Sequence, residues 1–417
     1  MALPFVFLLG AIAVMPLVAH KWWERNYPIV TALLGSITLI YYFGALHETQ
    51  RPLESLHEYF SFICLIGSLF VVSGGIHICV KGEATPWINV VILAMGGLLA
   101  NVVGTTGASM LLIRPFLRAN KYRLTTYHVV FFIFIVSNVG GSLTPIGDPP
   151  LYLGYLKGVP FFWTTWSLFP MWIVGMTWLL ALFYMLDYRN FLRAPREVRE
   201  RETAHETWKF DGLHNLIWLG LILAALFLSD PPFIREAIMI FAAMMSWKFT
   251  RWHIYEANDF SWAPIREVAI LFAGIFATMM PALDWLEANA AKLGVTSVAS
   301  FYWGSGCLSA ALDNAPTYLN FLSAAIGLFV SEGADSSFVD HPIDYLLKNH
   351  PAHIAAISIG SVFFGACTYI GNGPNFMVKS IAEHAGAKMP SFFGYIFKFT
   401  IPILLPMLVL VGWLFFR

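Results

Sequence analysis

The sequence predicts an all-α polytopic membrane protein built from two inverted repeats. Three observations carry that expectation. Hydrophobic residues make up 58% of the 417 residues and charged residues only 12%, about half the usual soluble share. Many runs reach the roughly 18–20 apolar residues that a spanning helix needs. Finally, one motif interrupts a hydrophobic stretch in each half. Residues 144–150 read T-P-I-G-D-P-P and residues 368–374 read T-Y-I-G-N-G-P, both T-x-I-G-[D/N]-x-P, 224 residues apart. Paired, Gly/Pro-interrupted hydrophobic segments in corresponding halves mark a repeat-built secondary transporter.

The elements follow in order. Full spans are expected at 2–19, 28–46 and 58–80. The first lacks a charged leader and a cleavage site, so it reads as a retained span and not as a signal peptide. Next, 87–118 is split by the polar, small-residue patch Asn101 to Ser109. Each arm of roughly ten to fourteen residues covers about half of a 30 Å core, so this is expected to be a re-entrant hairpin. A broken span at 127–157 and a long span at 163–187 complete the first repeat, 1–187. Residues 188–213 form the only long charged stretch, read as a cytoplasmic linker.

The second repeat, 214–417, follows the same plan. It has spans at 214–229, 233–250 and 265–286, a hairpin at 298–328 and a polar loop at 331–350. A broken span at 353–385 and a last span at 395–416 follow. The expected total is about ten full spans and two hairpins. Five crossings per half is an odd number, so the second half is inverted. Lys21, Arg25, Lys81, Arg118, Lys121, Arg123, the linker basics, Lys248, Arg251, Lys379 and Lys388 fall on one side. Only Arg51, Lys157, Arg235, Lys292, Lys348 and Arg417 fall on the other. By the excess of Lys and Arg in cytoplasmic loops, the first side faces the cytoplasm. Both termini then lie outside an inner (plasma) membrane.

The first break, Ser137 to Leu156, cannot be one continuous helix. Gly140, Gly141, Pro145, Gly147, Pro149 and Pro150 crowd its centre, and in a helix interior glycine costs about 1 kcal/mol and proline about 3. Such a break at membrane depth is tolerated only where backbone is buried in protein or lines a wet cavity. Asp148 sits at the break and Asp313 at the second hairpin tip. An ionisable residue at that depth is a functional-site expectation by default. A buried carboxylate without a partner takes up a proton, and an arriving cation displaces it. Asp148 and Asp313 are therefore the expected proton- and ion-coupling groups. The plainer reading of Asp148, an N-cap before Pro149-Pro150, is compatible with that role.

Around them, Asn101, Thr105, Thr106, Ser137, Asn138, Thr144, Asn314, Thr317, Thr368, Asn372 and Asn375 offer hard oxygens suited to Na⁺, as do unwound carbonyls. Any single Ser or Thr more often bonds back to its own helix; the clustering of these residues at the four interruptions is the informative fact. A second short pairing, N-V-V-G-T at Asn101–Thr105 with D-N-A-P-T at Asp313–Thr317, lies 212 residues apart.

Zero net charge suggests no nucleic-acid partner, and Cys64, Cys79, Cys307 and Cys367 have no paired spacing for a zinc site or disulfide framework. No organic cofactor or transition metal is expected. No H-E-x-x-H or G-x-S-x-G is present, so a membrane enzyme would leave the paired breaks unexplained.

The motif S-N-V-G-G-S-L-T-P-I-G-D-P-P, the D-N-A-P-T hairpin and the Y-I-G-N-G-P-N break together resemble the ion transporter superfamily. That group includes citrate and dicarboxylate carriers, arsenite efflux pumps and NhaD-type sodium/proton antiporters. The resemblance covers nearly the whole chain, and G-G-S-L-T-P-I-G-D looks closest to the NhaD type. It implies a homodimer with one site per protomer, between hairpin tips and broken helices, and elevator-like movement of a transport domain. Dicarboxylate carriers of the group have Ser-Asn-Thr at both hairpin tips, which this chain lacks. The expected function is antiport of Na⁺ or Li⁺ against H⁺. The alternative is a Na⁺- or H⁺-coupled carrier of citrate, a dicarboxylate or an oxyanion such as arsenite.

Overall fold

The computed structural model describes residues 2–79, 85–193, 209–228, 230–333 and 341–417. Lys81, residues 194–208 of the expected linker and residues 334–340 of the expected polar loop lie outside these. The protein is an all-α polytopic membrane protein. Among the described residues six helices are long and apolar enough to cross a membrane, with shorter apolar helices between them.

The first half starts with α1 (Leu3–Val18), α2 (His20–Ile40, continued by π-helical turns over Tyr41–Leu46) and α3 (Gln50–Gly74). The span expected to run to residue 80 stops at Gly74. Its last carbonyls are satisfied by side chains from the other half, as helix ends require. Asn258 Nδ2 donates to Gly74 O (2.8 Å) and Ile76 O (2.7 Å), and Asn215 Nδ2 donates to Gly75 O (2.8 Å). A Cβ on Gly75 would lie 2.6 Å from that Asn215 nitrogen. Beyond it, strand β1 (His77–Cys79) pairs antiparallel with β2 (Lys209–Asp211). This small ribbon was not expected from so helical a sequence; it joins the segment after α3 to the end of the expected linker.

Helix α4 (Pro86–Ala119) is a hairpin and not a single crossing. A straight helix would hold Asn89 and Asn120 about 45 Å apart, yet Asn89 Nδ2 donates to Asn120 Oδ1 at 2.8 Å. The chain turns at Gly104, whose φ of 78° and ψ of 156° suit only glycine. The arms are longer than expected, about 22–27 Å at 1.5 Å per residue. Next come α5 (Thr126–Ile135), a 3₁₀ turn at Val139–Gly141, α6 (Pro149–Leu156) and α7 (Phe161–Arg193). Residues 188–193 of the expected linker thus belong to the end of α7.

The second half comprises α8 (Asn215–Ala225), α9 (Ile234–Phe249), α10 (Trp252–Ala257) and α11 (Ala263–Asn289). The second hairpin is α12 (Val298–Ala311) and α13 (Asn314–Gly333). Its arms also fold back, since the rings of Phe301 and Phe329 lie 6.3 Å apart. After α14 (Pro342–Asn349), the second break separates α15 (Pro351–Gly365) from α16 (Gly373–His384). The last span runs from Phe392 to Phe415, α17 (Phe392–Tyr395) and α18 (Leu405–Phe415) flanking π-helical turns at Ile396–Leu404.

On one side α3 packs on α8, α9 and α11, and α1 and α2 on α11, while α11 and α3 also pack on the hairpin helices α13 and α4. On the other is a bundle of hairpins and broken helices, in which each half-helix crosses over to the other half: α6 packs on α13, and α16 on α4. Burial of apolar surface gives little drive in lipid, so close backbone contact between small residues matters. A Cβ on Gly140 would lie 2.3 Å from Gly97 Cα.

Candidate functional site

Both breaks are built alike. Asp148 and Asn372, 224 residues apart, occupy the N-cap positions of α6 and α16 in extended backbone (φ −141° and −155°). Neither side chain caps its own helix, so both are free to reach across. Glycine pairs hold the two loops in the same way. A Cβ on Gly147 would lie 1.9 Å from Gly141 O, and one on Gly371 2.6 Å from Gly365 O. Overpacking of this kind costs about 1–3 kcal/mol when neighbours can shift. Gly147→Ala is therefore expected to lower the melting temperature of the purified protein and to impair transport. An unchanged melting curve would show the loop to be looser than described.

The motif threonines tie each break to the hairpin of its own half. Thr144 Oγ1 donates to Asn101 O (2.6 Å) and Thr368 Oγ1 donates to Ala310 O (2.8 Å). These two carbonyls are structural counterparts, 209 residues apart, which corrects the 212-residue pairing read from N-V-V-G-T and D-N-A-P-T. In the corrected register Thr105 matches Asn314. Both begin the second arm of their hairpin, and both side chains donate to Asp148.

Asp148 is the centre of the site and is 1% exposed. Its carboxylate accepts from Thr105 Oγ1 (2.9 Å), Asn314 Nδ2 (2.6 Å) and Asn372 Nδ2 (2.9 Å). All four interruptions, two tips and two breaks, thus meet at one carboxylate. Among the described residues its hydrogen-bond partners are all neutral. Asn372 Nδ2 also faces Ser137 O and Asn138 Oδ1, each at 3.1 Å. Asn138 Nδ2 donates to Asn375 Oδ1 (2.7 Å) and Ile133 O (2.8 Å). Asn375 Nδ2 donates in turn to Gly365 O (2.8 Å) and Thr368 O (2.9 Å). Ser137 Oγ pairs with Ser109 Oγ at 2.8 Å.

Other expected site residues are not hydrogen-bonded to this carboxylate. Asp313 is half-buried, and its Oδ1 accepts from Ala315 N (3.0 Å), starting α13 as a cap does. Thr317 bonds back to Asp313 O (2.9 Å), the ordinary local use of a helical threonine. Thr106 is half-buried beside a small cavity shared with Gly104, Ile146 and Pro149. Asn101 is fully engaged as structure: Oδ1 accepts from Leu143 N (2.8 Å), and Nδ2 donates to Gly97 O (3.0 Å) and Gly140 O (2.6 Å).

Two features escaped sequence reasoning. Trp172 lies within the expected span 163–187 with no motif around it, yet its Nε1 donates to Gly140 O at 3.0 Å. Asp187, expected at a span end, is fully buried with Arg123, His128, Tyr127 and Asn89 around it. A lone acid and a lone base 64 residues apart leave no local signal of their pairing.

A membrane-spanning chain with two re-entrant hairpins and two broken helices converging on a buried carboxylate belongs to the class of transporters. The family profile CitMHS_2, described as "Putative citrate transport", matches residues 1–416. The chain belongs to that citrate-type transporter family, consistent with the ion transporter superfamily. No curated protein matches it.

Proposed function

We propose that this protein is a cation/proton antiporter that exchanges Na⁺ or Li⁺ against H⁺ at Asp148 by alternating access. The observation that carries the reading is a fully buried carboxylate held only by neutral donors from both hairpin tips and the opposite break. A buried charge without a partner is costly and is neutralised by a proton or an ion. Proton and cation then compete for Asp148. The repeated Asp148/Asn372, Gly147/Gly371 and Gly141/Gly365 positions support inverted repeats, and so an elevator-like exchange of inward and outward states.

The Asn314 amide gives the competition an atomic form. With Asp148 ionised, Nδ2 donates to it, and Oδ1, which has no protein partner, is available to a cation. With Asp148 protonated, a flipped amide accepts the new O–H, and its NH₂ faces the cation's place.

The family description favours a second reading, a Na⁺- or H⁺-coupled carrier of a citrate-type anion. The N-termini of α6 and α16 at the site suit an anion, although Asp148 repels one until it is neutralised. The test uses proteoliposomes with a pH-sensitive dye. Collapse of an imposed pH gradient on adding Na⁺ or Li⁺, with no anion present, supports antiport. No response to any cation, together with gradient-dependent uptake of labelled citrate, succinate or arsenite, replaces it with the second reading.

A further inference from the structure

Helix α6 carries Asp148 at its N-terminal end and is only about 12 Å long at 1.5 Å per residue. Its start is fastened to both hairpin tips through Asp148. Its middle lies against α13, where a Cβ on Gly154 would meet the Tyr318 hydroxyl at 2.3 Å. Helix α6 therefore moves with the hairpins. Helix α3 is bound elsewhere. Ser55 Oγ donates to Phe276 O (2.8 Å) and Tyr59 Oη to Ala269 O (2.9 Å), both on α11. Ser61 Oγ donates to Glu236 Oε1 of α9 (2.6 Å), and Asn215 of α8 holds Gly75 O (2.8 Å).

The far end of α6 nevertheless docks on α3 and α8. Lys157 Nζ donates to Glu58 Oε1 at 2.7 Å, and the two side chains are only 23% and 19% exposed. Tyr155 Oη donates to Leu226 O, and Tyr152 Oη to Ser61 O at 3.4 Å. Just beyond, the Phe161 and Phe162 rings lie 5.1 and 5.9 Å from the ring of Phe227. A partly buried ion pair is screened less than an exposed one. The pair between Arg114 of the first hairpin and Asp259 shows the contrast: at 3.2 Å, its Asp259 side chain is 78% exposed, so water competes for it. The second half has no charge in the place of Lys157. At the 224-residue spacing of the repeats, Ile381 stands there on α16, and Lys379 turns to Glu383 of the same helix (3.1 Å).

We propose that Glu58 and Lys157 form a latch that holds α6, and with it Asp148, against α3 in the state described, and that the pair parts once in every transport cycle. This rests on the alternating-access reading above and not on which ion or anion is carried. Asp148 changes sides only if its helix moves relative to α3. Such a movement draws Lys157 away from Glu58, and an ion pair holds only to about 4 Å. With Ile381 in the place of Lys157, the state in which the repeats exchange roles lacks the equivalent bond. The latch therefore favours one of the two states.

The experiment uses the full-length protein in proteoliposomes, with its native cysteines replaced by serine. Glu58→Cys and Lys157→Cys are joined by a reducible bifunctional methanethiosulfonate. Tyr59→Cys and Ala269→Cys, joined in the same way between α3 and α11, are the control. Transport is read as the flux the wild type shows, Na⁺-triggered collapse of a pH gradient or gradient-dependent citrate uptake, so failure of the antiport reading leaves this test standing. The expected result is loss of transport on joining Glu58→Cys to Lys157→Cys, recovery with dithiothreitol, and full transport with the control pair joined. Full transport with the first pair joined, equal loss with the control pair joined, or no linkage of the first pair would each overturn the latch. If the cysteine variants do not fold, hydrogen exchange of Glu58→Gln decides. Amides of residues 153–159 are expected to exchange about fivefold faster than in the wild type, with those of α11 unchanged. Wild-type exchange there would show that the ion pair does not hold α6.

Discussion

Asp148→Asn is expected to abolish the Na⁺-triggered collapse of a pH gradient in proteoliposomes, a loss of about a hundredfold or more in rate. The substitution keeps the side-chain shape and removes only the ability to ionise. Its structural cost is limited. The carboxylate accepts from Thr105, Asn314 and Asn372, whereas an amide offers one oxygen and turns its NH₂ toward one of these donors. Leaving one buried donor unsatisfied costs about 1–3 kcal/mol. A folded variant without antiport would thus separate the chemistry from the scaffold. A variant that still exchanges Na⁺ for H⁺ at the wild-type rate would remove Asp148 from the mechanism. Asp313→Asn is the informative companion. An Asn oxygen can still accept from Ala315 N as Asp313 Oδ1 does at 3.0 Å, so any loss there reports the charge and not the start of α13.

The second large effect lies away from the transport site. Asp187 accepts from Arg123 Nη2 (2.9 Å), with a second, closer contact to Nη1, and from His128 Nε2 (3.0 Å), Tyr127 Oη (2.9 Å) and Asn89 Nδ2 (2.9 Å). The backbone N–H of Thr125 donates to His128 Nδ1 (3.2 Å), so the ring proton sits on Nε2 and points at Asp187. This network joins the base of the first hairpin, the start of α5 and the end of α7. Removing Asp187 takes the carboxylate away from the Arg123 side chain, which is 2% exposed. Breaking a buried pair from one side costs about 3–5 kcal/mol. Asp187→Ala is therefore expected to give poor yield and a strongly lowered melting temperature. The double variant Asp187→Leu, Arg123→Met is expected to recover part of the loss, because no charge is left stranded. A single variant that melts like the wild type would show that water already reaches the pair.

Much of this protein was legible along the chain because the relevant signals are local. Apolar runs of spanning length fix the membrane class. Proline and glycine fix the breaks, since no helix passes through T-P-I-G-D-P-P at membrane depth without its backbone being satisfied elsewhere. The 224-residue echo of that motif located Asp148 and Asn372. What the sequence could not determine is which polar groups are spent and which are free. Asn101 and Asn314 look alike as hairpin-tip amides, yet the first is saturated by Leu143, Gly97 and Gly140 and the second keeps an oxygen without a partner. Only the tertiary structure decided that, and it also decided that Asp148 meets Asn314 and Asn372 across 166 and 224 residues. Periodicity and propensity act over a few residues along the chain, whereas a buried hydrogen bond depends on which backbones are brought within about 3 Å by folding.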